Sequence, residues 1–185
     1  MRILCFGDSN TYGYDPRSFF GDRYAPEDRW VDLLAKHTGH KLINAGSNGR
    51  QIPRSVHSLP SLTESDMLLV MLGTNDLLQG NPSEVVADRM EHFLNNIQLE
   101  RSRLILIAPP SMQLGAWVPE QHLIDGSREL RVHYGAMAGR LGIRYGAWEM
   151  PVAFDGVHLT QEGHRILGSR LSEFIKSEVR DEQHQ

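Results

Sequence analysis

The sequence is poor in cysteine, in clustered charge of one sign and in long apolar runs, and each scarcity excludes a class of protein. A single cysteine, Cys5, excludes an intramolecular disulfide, and its place in the apolar run 3–6 predicts a buried, inert thiol. The formal net charge is −4 and no basic block is present, so we expect no nucleic-acid partner. No apolar run approaches the roughly 20 residues of a membrane span, and no apolar leader precedes the first predicted strand. We therefore expect a cytoplasmic protein without a membrane span.

Metal-binding patterns are also missing. No His-x-x-x-His or similar pair supports a metal site built from Asp8, Asp155 and His158, so we expect neither metal nor cofactor. The length of 185 residues fits one α/β domain. We expect that domain to span residues 1–180 and a polar tail to occupy 181–185.

Alternating strand and helix patterns predict the fold class. Continuous apolar runs, typical of parallel strands covered on both faces, lie at 2–6, 41–45, 66–72, 103–108 and 143–147. Helical patterns lie at 27–37, 83–98, 127–141 and 161–178. Ser83 and Thr160 are the predicted N-caps of the second and the last of these helices. Strands that alternate with helices imply right-handed crossovers and a doubly wound parallel sheet.

Two segments lack a regular period. Pro53 and Pro60 limit any helix within 46–65 to a short piece between them. The stretch 108–126 contains three prolines and two glycines and shows no clear period. Because it is longer than an ordinary connection, we expect it to contribute to an active site.

Chemically competent side chains follow the predicted strands, where ligands gather in doubly wound sheets. Ser9 follows the first strand and can act as a nucleophile, with His158 as its base and Asp155 to orient the imidazole. The N–H groups of Ser9 and Gly46 and the side-chain amide of Asn75 can stabilise an oxyanion. This set fits an acyl-transfer enzyme.

Plainer interpretations exist for each of these residues. Ser9 can cap a helix, Gly46 can serve only a turn, and Asn75 can belong to an ordinary turn or cap. Asp155 can form a turn that leaves His158 on the surface. A second function from another class is a flavodoxin-like phosphate- or nucleotide-binding module that uses residues 9–11. A receiver-like domain with Asp8 as phosphoacceptor is a third, although it lacks the expected acidic cluster.

Four short blocks, in order along nearly the whole chain, resemble the SGNH (GDSL-like) hydrolase family. They are 7–10 (Gly-Asp-Ser-Asn), Gly46, 73–76 (Gly-Thr-Asn-Asp) and 155–158 (Asp-Gly-Val-His). The resemblance implies a three-layer α/β/α sandwich with a five-stranded parallel, flavodoxin-like sheet. It also implies a catalytic triad of Ser9, Asp155 and His158, with an oxyanion hole formed by Ser9, Gly46 and Asn75.

A narrower likeness is to arylesterase-type bacterial members, carried by 23–26 with Arg29 and Trp30, by 71–76, by the pair 109–110 and by 155–160. It implies a serine esterase that forms an acyl-enzyme and favours small esters of acetate-sized acids. Because a chain of 185 residues leaves few residues for a lid or a long acyl tunnel, we expect acetyl to butyryl esters of aryl or sugar alcohols. A small-molecule ester is then the expected partner, and a homo-oligomer is left open. The side chains expected to line the substrate pocket are Asp8, Asn10, Tyr12, Trp117 and Phe154, with Tyr14 as a further candidate.

Overall fold

The computed structural model describes residues 1–18 and 20–181, with only the backbone course given for 177–181. Of the expected tail at 181–185, residues 182–185 lie outside the described residues, and Asp181 is the last residue of a helix. In the described part of the chain, no helix combines the length and the apolar character that crossing a membrane requires.

The centre of the molecule is a parallel sheet of five strands in the order β2-β1-β3-β4-β5. The strands are β1 (Arg2–Gly7), β2 (Lys41–Gly46), β3 (Met67–Met71), β4 (Leu104–Ile107) and β5 (Arg144–Gly146). Gly7 lies opposite both Gly46 and Met71, so the carboxyl ends of the three strands that precede the predicted site residues meet at one edge. The predicted five-stranded, flavodoxin-like sheet is confirmed.

Helices cover both faces of this sheet. They are α1 (Ser9–Tyr12), α2 (Trp30–Thr38), α3 (Thr74–Leu78), α4 (Ser83–Asn95), α5 (Gln121–Leu141) and α6 (Gln161–Asp181). Short 3-10 helices span Pro26–Asp28, Val56–Ser58 and Arg101–Arg103. The second of these is the short helical piece expected between Pro53 and Pro60.

Strand side chains alternate between two apolar layers. Leu4 and Phe6 of β1 belong to a core built with α4 and α5, whereas Ile3 and Cys5 face a second core built with α2 and α6. Burial raises the pKa of the Cys5 thiol, so the thiol stays protonated and inert, as predicted. The three-layer α/β/α sandwich is therefore confirmed.

Helix starts differ in part from the predictions. Thr160 caps α6 as expected, because its Oγ1 accepts a hydrogen bond from Gly163 N–H at 3.1 Å. The prediction for Ser83 is wrong: Pro82 occupies the N-cap, and the Ser83 hydroxyl donates instead to Glu129 of α5 at 2.9 Å. Proline suits the start of a helix because its missing N–H needs no acceptor there.

Candidate active site

Ser9 is placed at the rim of the sheet by a sharp turn between β1 and α1. It is the first residue of α1 and only 6% exposed. Asp8, not Ser9, is the N-cap, and its Oδ1 accepts from Asn10 N–H at 2.9 Å. A Cβ atom at Gly7 would lie 2.0 Å from Thr11 Oγ1, so the tight turn requires glycine there. The hydroxyl of Ser9 is thus left free of a capping role.

Asp155 and His158 lie on one turn that faces Ser9. His158 Nε2 is 3.0 Å from Ser9 Oγ, and His158 Nδ1 is 2.6 Å from Asp155 Oδ2. The other carboxylate oxygen, Oδ1, accepts from the N–H groups of Val157 and His158 at 2.9 and 3.0 Å. Gly156 completes the turn with φ of 83°. The three side chains therefore form one continuous hydrogen-bonded chain.

The surroundings keep Asp155 ionised. Burial opposes its charge, but the hydrogen bonds from the His158 ring and from the two backbone N–H groups outweigh burial and lower its pKa below the ordinary value of 3.8. An ionised carboxylate can accept from Nδ1–H, which leaves Nε2 as the nitrogen that accepts from Ser9. The arrangement can therefore remove a proton from the serine hydroxyl.

Asn75 lies in the first turn of α3, after a backbone bend at Gly73 with φ of 125°. Its Nδ2 donates to the carbonyl oxygen of Arg50 at 3.1 Å. An amide nitrogen carries two hydrogens, so this bond fixes the side chain and leaves one donor for a ligand.

Arg50 is a supporting residue that sequence reasoning did not identify. Its guanidinium donates to Gly7 O at 2.9 Å and to Ala45 O, and it lies 4.3 Å from the centre of the Phe6 ring. These two hydrogen bonds link the carboxyl end of β1 to that of β2. Nothing in the sequence distinguishes this arginine from an exposed loop cation.

Gly46 packs directly under α1. A Cβ atom there would lie 2.1 Å from Tyr12 N, so no other residue fits. The Gly46 N–H donates to Asn44 Oδ1 at 2.9 Å, and Asn44 Nδ2 donates to Thr11 O at 2.8 Å. The structure therefore gives the predicted oxyanion donor an acceptor within the protein.

Two aromatic rings lie close to the imidazole of His158. The ring centres of Tyr14 and Trp117 lie 4.5 and 5.1 Å from that of the imidazole. Trp117 is 53% exposed, and Phe154 beside it is 68% exposed. Tyr12 is half-buried and lies under the guanidinium of Arg23.

The predicted active-site loop, 108–126, is irregular only as far as residue 120, because α5 begins at Gln121. Trp117 N–H donates to Asp155 O at 3.0 Å, and Ala116 N–H donates to Phe154 O at 3.3 Å. A Cβ atom at Gly115 would lie 2.4 Å from the Asp155 carbonyl carbon. This loop is therefore packed against the turn that carries Asp155.

Asp8 and Asn10 do not line a pocket, and this part of the prediction is corrected. They are 1% and 2% exposed, and their side chains bond to the protein backbone. Burial raises the pKa of Asp8 to about 6. Within the described ranges, no three His, Cys, Asp or Glu side chains are grouped so that they could hold a metal ion.

Comparison with known proteins identifies the family. The model of the GDSL-like lipase/acylhydrolase family matches residues 5–166. The chain therefore belongs to this family, a class of carboxylic ester hydrolases. The flavodoxin-like binding module considered as a second function is not favoured by this match.

Individual relatives agree with this assignment. The chain is similar to a mouse (Mus musculus) protein described as isoamyl acetate-hydrolyzing esterase 1 homolog, at 29% identity over 138 residues, which are 64% of this chain and 51% of the relative. The chain thus matches about half the length of that relative. Among solved structures it resembles a putative arylesterase from Agrobacterium tumefaciens (24% identity, TM-score 0.80, 95% and 98% of the two chains). It also resembles a carbohydrate acetylesterase family member from Sinorhizobium meliloti (23%, TM-score 0.78, 95% and 97%). These two likenesses concern the fold.

Proposed function

We propose that this chain is a serine esterase in which Ser9, His158 and Asp155 form the catalytic triad. The observation that carries the proposal is the hydrogen-bonded chain from Ser9 Oγ to His158 Nε2 at 3.0 Å and from His158 Nδ1 to Asp155 Oδ2 at 2.6 Å. A hydroxyl is a weak nucleophile until a base removes its proton, and a neutral imidazole held by a carboxylate performs that task.

In the first half of the reaction, Ser9 Oγ attacks the ester carbonyl carbon while its proton passes to His158 Nε2. The carbonyl oxygen becomes an oxyanion, and Asp155 stabilises the imidazolium that forms. When the tetrahedral intermediate collapses, the bond to the alcohol oxygen breaks, and that oxygen takes the proton from Nε2. The acyl group is then an ester of Ser9.

In the second half, a water molecule gives one proton to His158 Nε2 and attacks the acyl carbon. Collapse of the second intermediate returns the proton to Ser9 Oγ and releases the carboxylic acid. One ester and one water thus give one alcohol and one acid, and the enzyme is regenerated.

The oxyanion is bound in this proposal by Ser9 N–H, Gly46 N–H and Asn75 Nδ2. The amide of Asn75 is held by Arg50 O, so its second hydrogen is oriented before the reaction begins. Gly46 N–H bonds to Asn44 Oδ1, so its participation requires the oxyanion to replace that amide oxygen.

The acyl group in this proposal is short, acetyl to butyryl. Ser9 is only 6% exposed, and the rings of Tyr14 and Trp117 flank its base. The more exposed Trp117 and Phe154 offer apolar surface to the alcohol part, which favours aryl esters over sugar esters. The acetate in the name of the mouse relative agrees with a short acyl group. The single domain over 1–180, the small-molecule ester as substrate and the cytoplasmic location stay predictions. The oligomeric state stays open.

The test is hydrolysis of p-nitrophenyl esters from two to twelve acyl carbons by wild type and by Ser9→Ala. Loss of the nucleophile is expected to lower kcat by about 10⁶, as for a triad serine. The control Ser102→Ala removes a hydroxyl at the opposite end of the sheet, before β4. For wild type, kcat/KM is expected to be highest from two to four carbons. Unchanged hydrolysis by Ser9→Ala would refute the triad, and a maximum at eight or more carbons would refute the short pocket.

A further inference from the structure

The side chain of Asn10 bonds to the backbone on both sides of His158. Its Nδ2 donates to Val157 O at 3.2 Å, and its Oδ1 accepts from Leu159 N–H at 2.8 Å. The residue is 2% exposed, so water does not compete for these bonds. One planar amide thus holds both peptide groups that adjoin the histidine.

The backbone of Asn10 is fixed as well. Its N–H donates to Asp8 Oδ1 at 2.9 Å, and its carbonyl oxygen accepts from Trp30 Nε1 at 3.0 Å. The Trp30 side chain is itself buried in the core between the sheet and α6. The amide of Asn10 therefore projects from a rigid support rather than from a mobile turn.

These bonds close a ring with the Ser9–His158 pair. Ser9 and Asn10 are consecutive in α1, and His158 lies between the two backbone groups that Asn10 holds. Ser9 and His158 lie 149 positions apart in sequence, so their relative position depends on tertiary contacts such as these. The distance between Ser9 Oγ and His158 Nε2 is thus coupled to the two bonds of the Asn10 amide.

We infer that Asn10 is a positioning residue, which fixes His158 at hydrogen-bonding distance from Ser9 through its paired bonds to Val157 O and Leu159 N–H. The inference rests on the proposed triad. Asn10 touches neither substrate nor the reacting atoms. It acts through the backbone of the turn 155–158, which we call the histidine turn. An apolar residue of similar size, such as leucine, can fill the same space but can make neither bond.

The first variant is Asn10→Leu. Misplacement of a catalytic group by about 1 Å can cost about 10² in rate, so kcat is expected to fall by about 10²-fold. Both half-reactions use His158, whereas ground-state binding does not, so KM is expected to change by less than about threefold. The rate of phosphonylation of Ser9 by a fluorophosphonate is expected to fall in parallel with kcat.

The matched control is Thr38→Val, which also removes two side-chain bonds to backbone. Thr38 Oγ1 donates to Leu34 O at 2.7 Å and accepts from His40 N–H at 3.3 Å, at the end of α2 that leads into the start of β2. This control is expected to lower the free energy of unfolding but to leave kcat within about twofold of wild type. It separates loss of stability from loss of alignment.

A spectroscopic reading distinguishes positioning from a purely structural role. The proton between His158 Nδ1 and Asp155 is expected to give a downfield ¹H resonance in wild type, because that bond is short at 2.6 Å. In Asn10→Leu it is expected to shift or broaden, while in Thr38→Val it is expected to be unchanged. If Asn10→Leu does not fold, Asn10→Asp keeps the acceptor for Leu159 N–H and loses the donor to Val157 O, and its kcat is expected to fall at least about tenfold.

A folded Asn10 variant with kcat within about twofold of wild type and an unchanged Nδ1–H resonance would overturn the inference. An equal loss of kcat in Thr38→Val would overturn it too, since alignment would then not be the cause. Failure of the proposed function looks different: activity would survive in Ser9→Ala, whatever the Asn10 variants do.

Discussion

The carboxyl group of Asp8 is buried, and burial disfavours its ionised form. The variant Asp8→Asn therefore tests how this group changes the free energy of unfolding with pH. The residue is 1% exposed, and its Oδ1 bonds to Asn10 N–H. Burial raises its pKa from 3.8 to about 6, and nearby Asp76 adds to this, while the Asn10 N–H and His158 act in the opposite direction. The guanidinium of Arg50 also lies within electrostatic range of this carboxyl.

The sign follows from proton binding. Between pH 4 and 6 the folded protein keeps the Asp8 proton and the unfolded chain has released it, so the free energy of unfolding falls as pH rises through this range. At 1.36 kcal/mol per pKa unit, a rise from 3.8 to about 6 corresponds to about 3 kcal/mol lost by pH 7. An asparagine at position 8 keeps the oxygen acceptor and does not titrate.

The quantity to measure is the difference in the free energy of unfolding between wild type and Asp8→Asn, by urea titration at pH 4, 5, 6 and 7. Any cost of burying the new amide is independent of pH and cancels from the slope. Because the unfolded carboxyl is already partly ionised at pH 4, wild type is expected to lose about 2 kcal/mol relative to the variant from pH 4 to 7. Asp88→Asn, which removes one exposed carboxylate of α4, controls for net charge. A difference that stays constant within about 0.5 kcal/mol would show that Asp8 is not destabilised by burial.

Two further perturbations give separate readings. Asn75→Ala is expected to lower kcat by about 10²–10³ with little change in KM, because the developing oxyanion gains more from a preorganised amide than the substrate carbonyl does. If steady-state kinetics show only a raised KM, Asn75 is a binding residue instead. Burial lowers the pKa of His164 from 6.5 to about 3. Between these two pH values the unfolded chain binds a proton at His164, whereas the folded protein does not. The free energy of unfolding therefore falls as pH falls below 6.5, by up to about 5 kcal/mol once the pH is below the folded pKa. Urea titrations from pH 7 to 4 should show that the free energy of unfolding falls more steeply in wild type than in His164→Gln. Parallel pH curves for the two proteins would contradict this reasoning.

The sheet was predictable because its signal is local. Each apolar run that predicts a strand begins and ends within two residues of the observed strand, since burial on both faces demands unbroken apolar sequence. The start of α5 was not predictable in the same way. Gly126 lowers the helix propensity of the first turns, but Ile124 is buried in the core and packing there extends the helix back to Gln121. The helices α1 and α3 are too short to show a period at all.

The candidate site was predictable as a set of side chains but not as a set of bonds. Ser9, Asp155 and His158 could be selected because few residue types perform acyl transfer and because strand ends converge. The partners of Asn10 and Arg50 are backbone groups. Because every residue carries a backbone group, the sequence does not indicate which of them will be a partner. Their roles emerge only once the fold brings β1, β2 and the histidine turn together.

The hydrogen bond between Ser9 and His158 joins the first strand region to a turn 149 positions later. While the chain is being synthesised, Ser9 therefore emerges long before His158, and a nascent chain that ends short of the turn lacks the hydrogen bond between them. Closing so large a loop is also among the costlier steps in entropy, so the two residues meet only when most of the other contacts exist. The proposed triad is therefore complete only when folding is nearly finished.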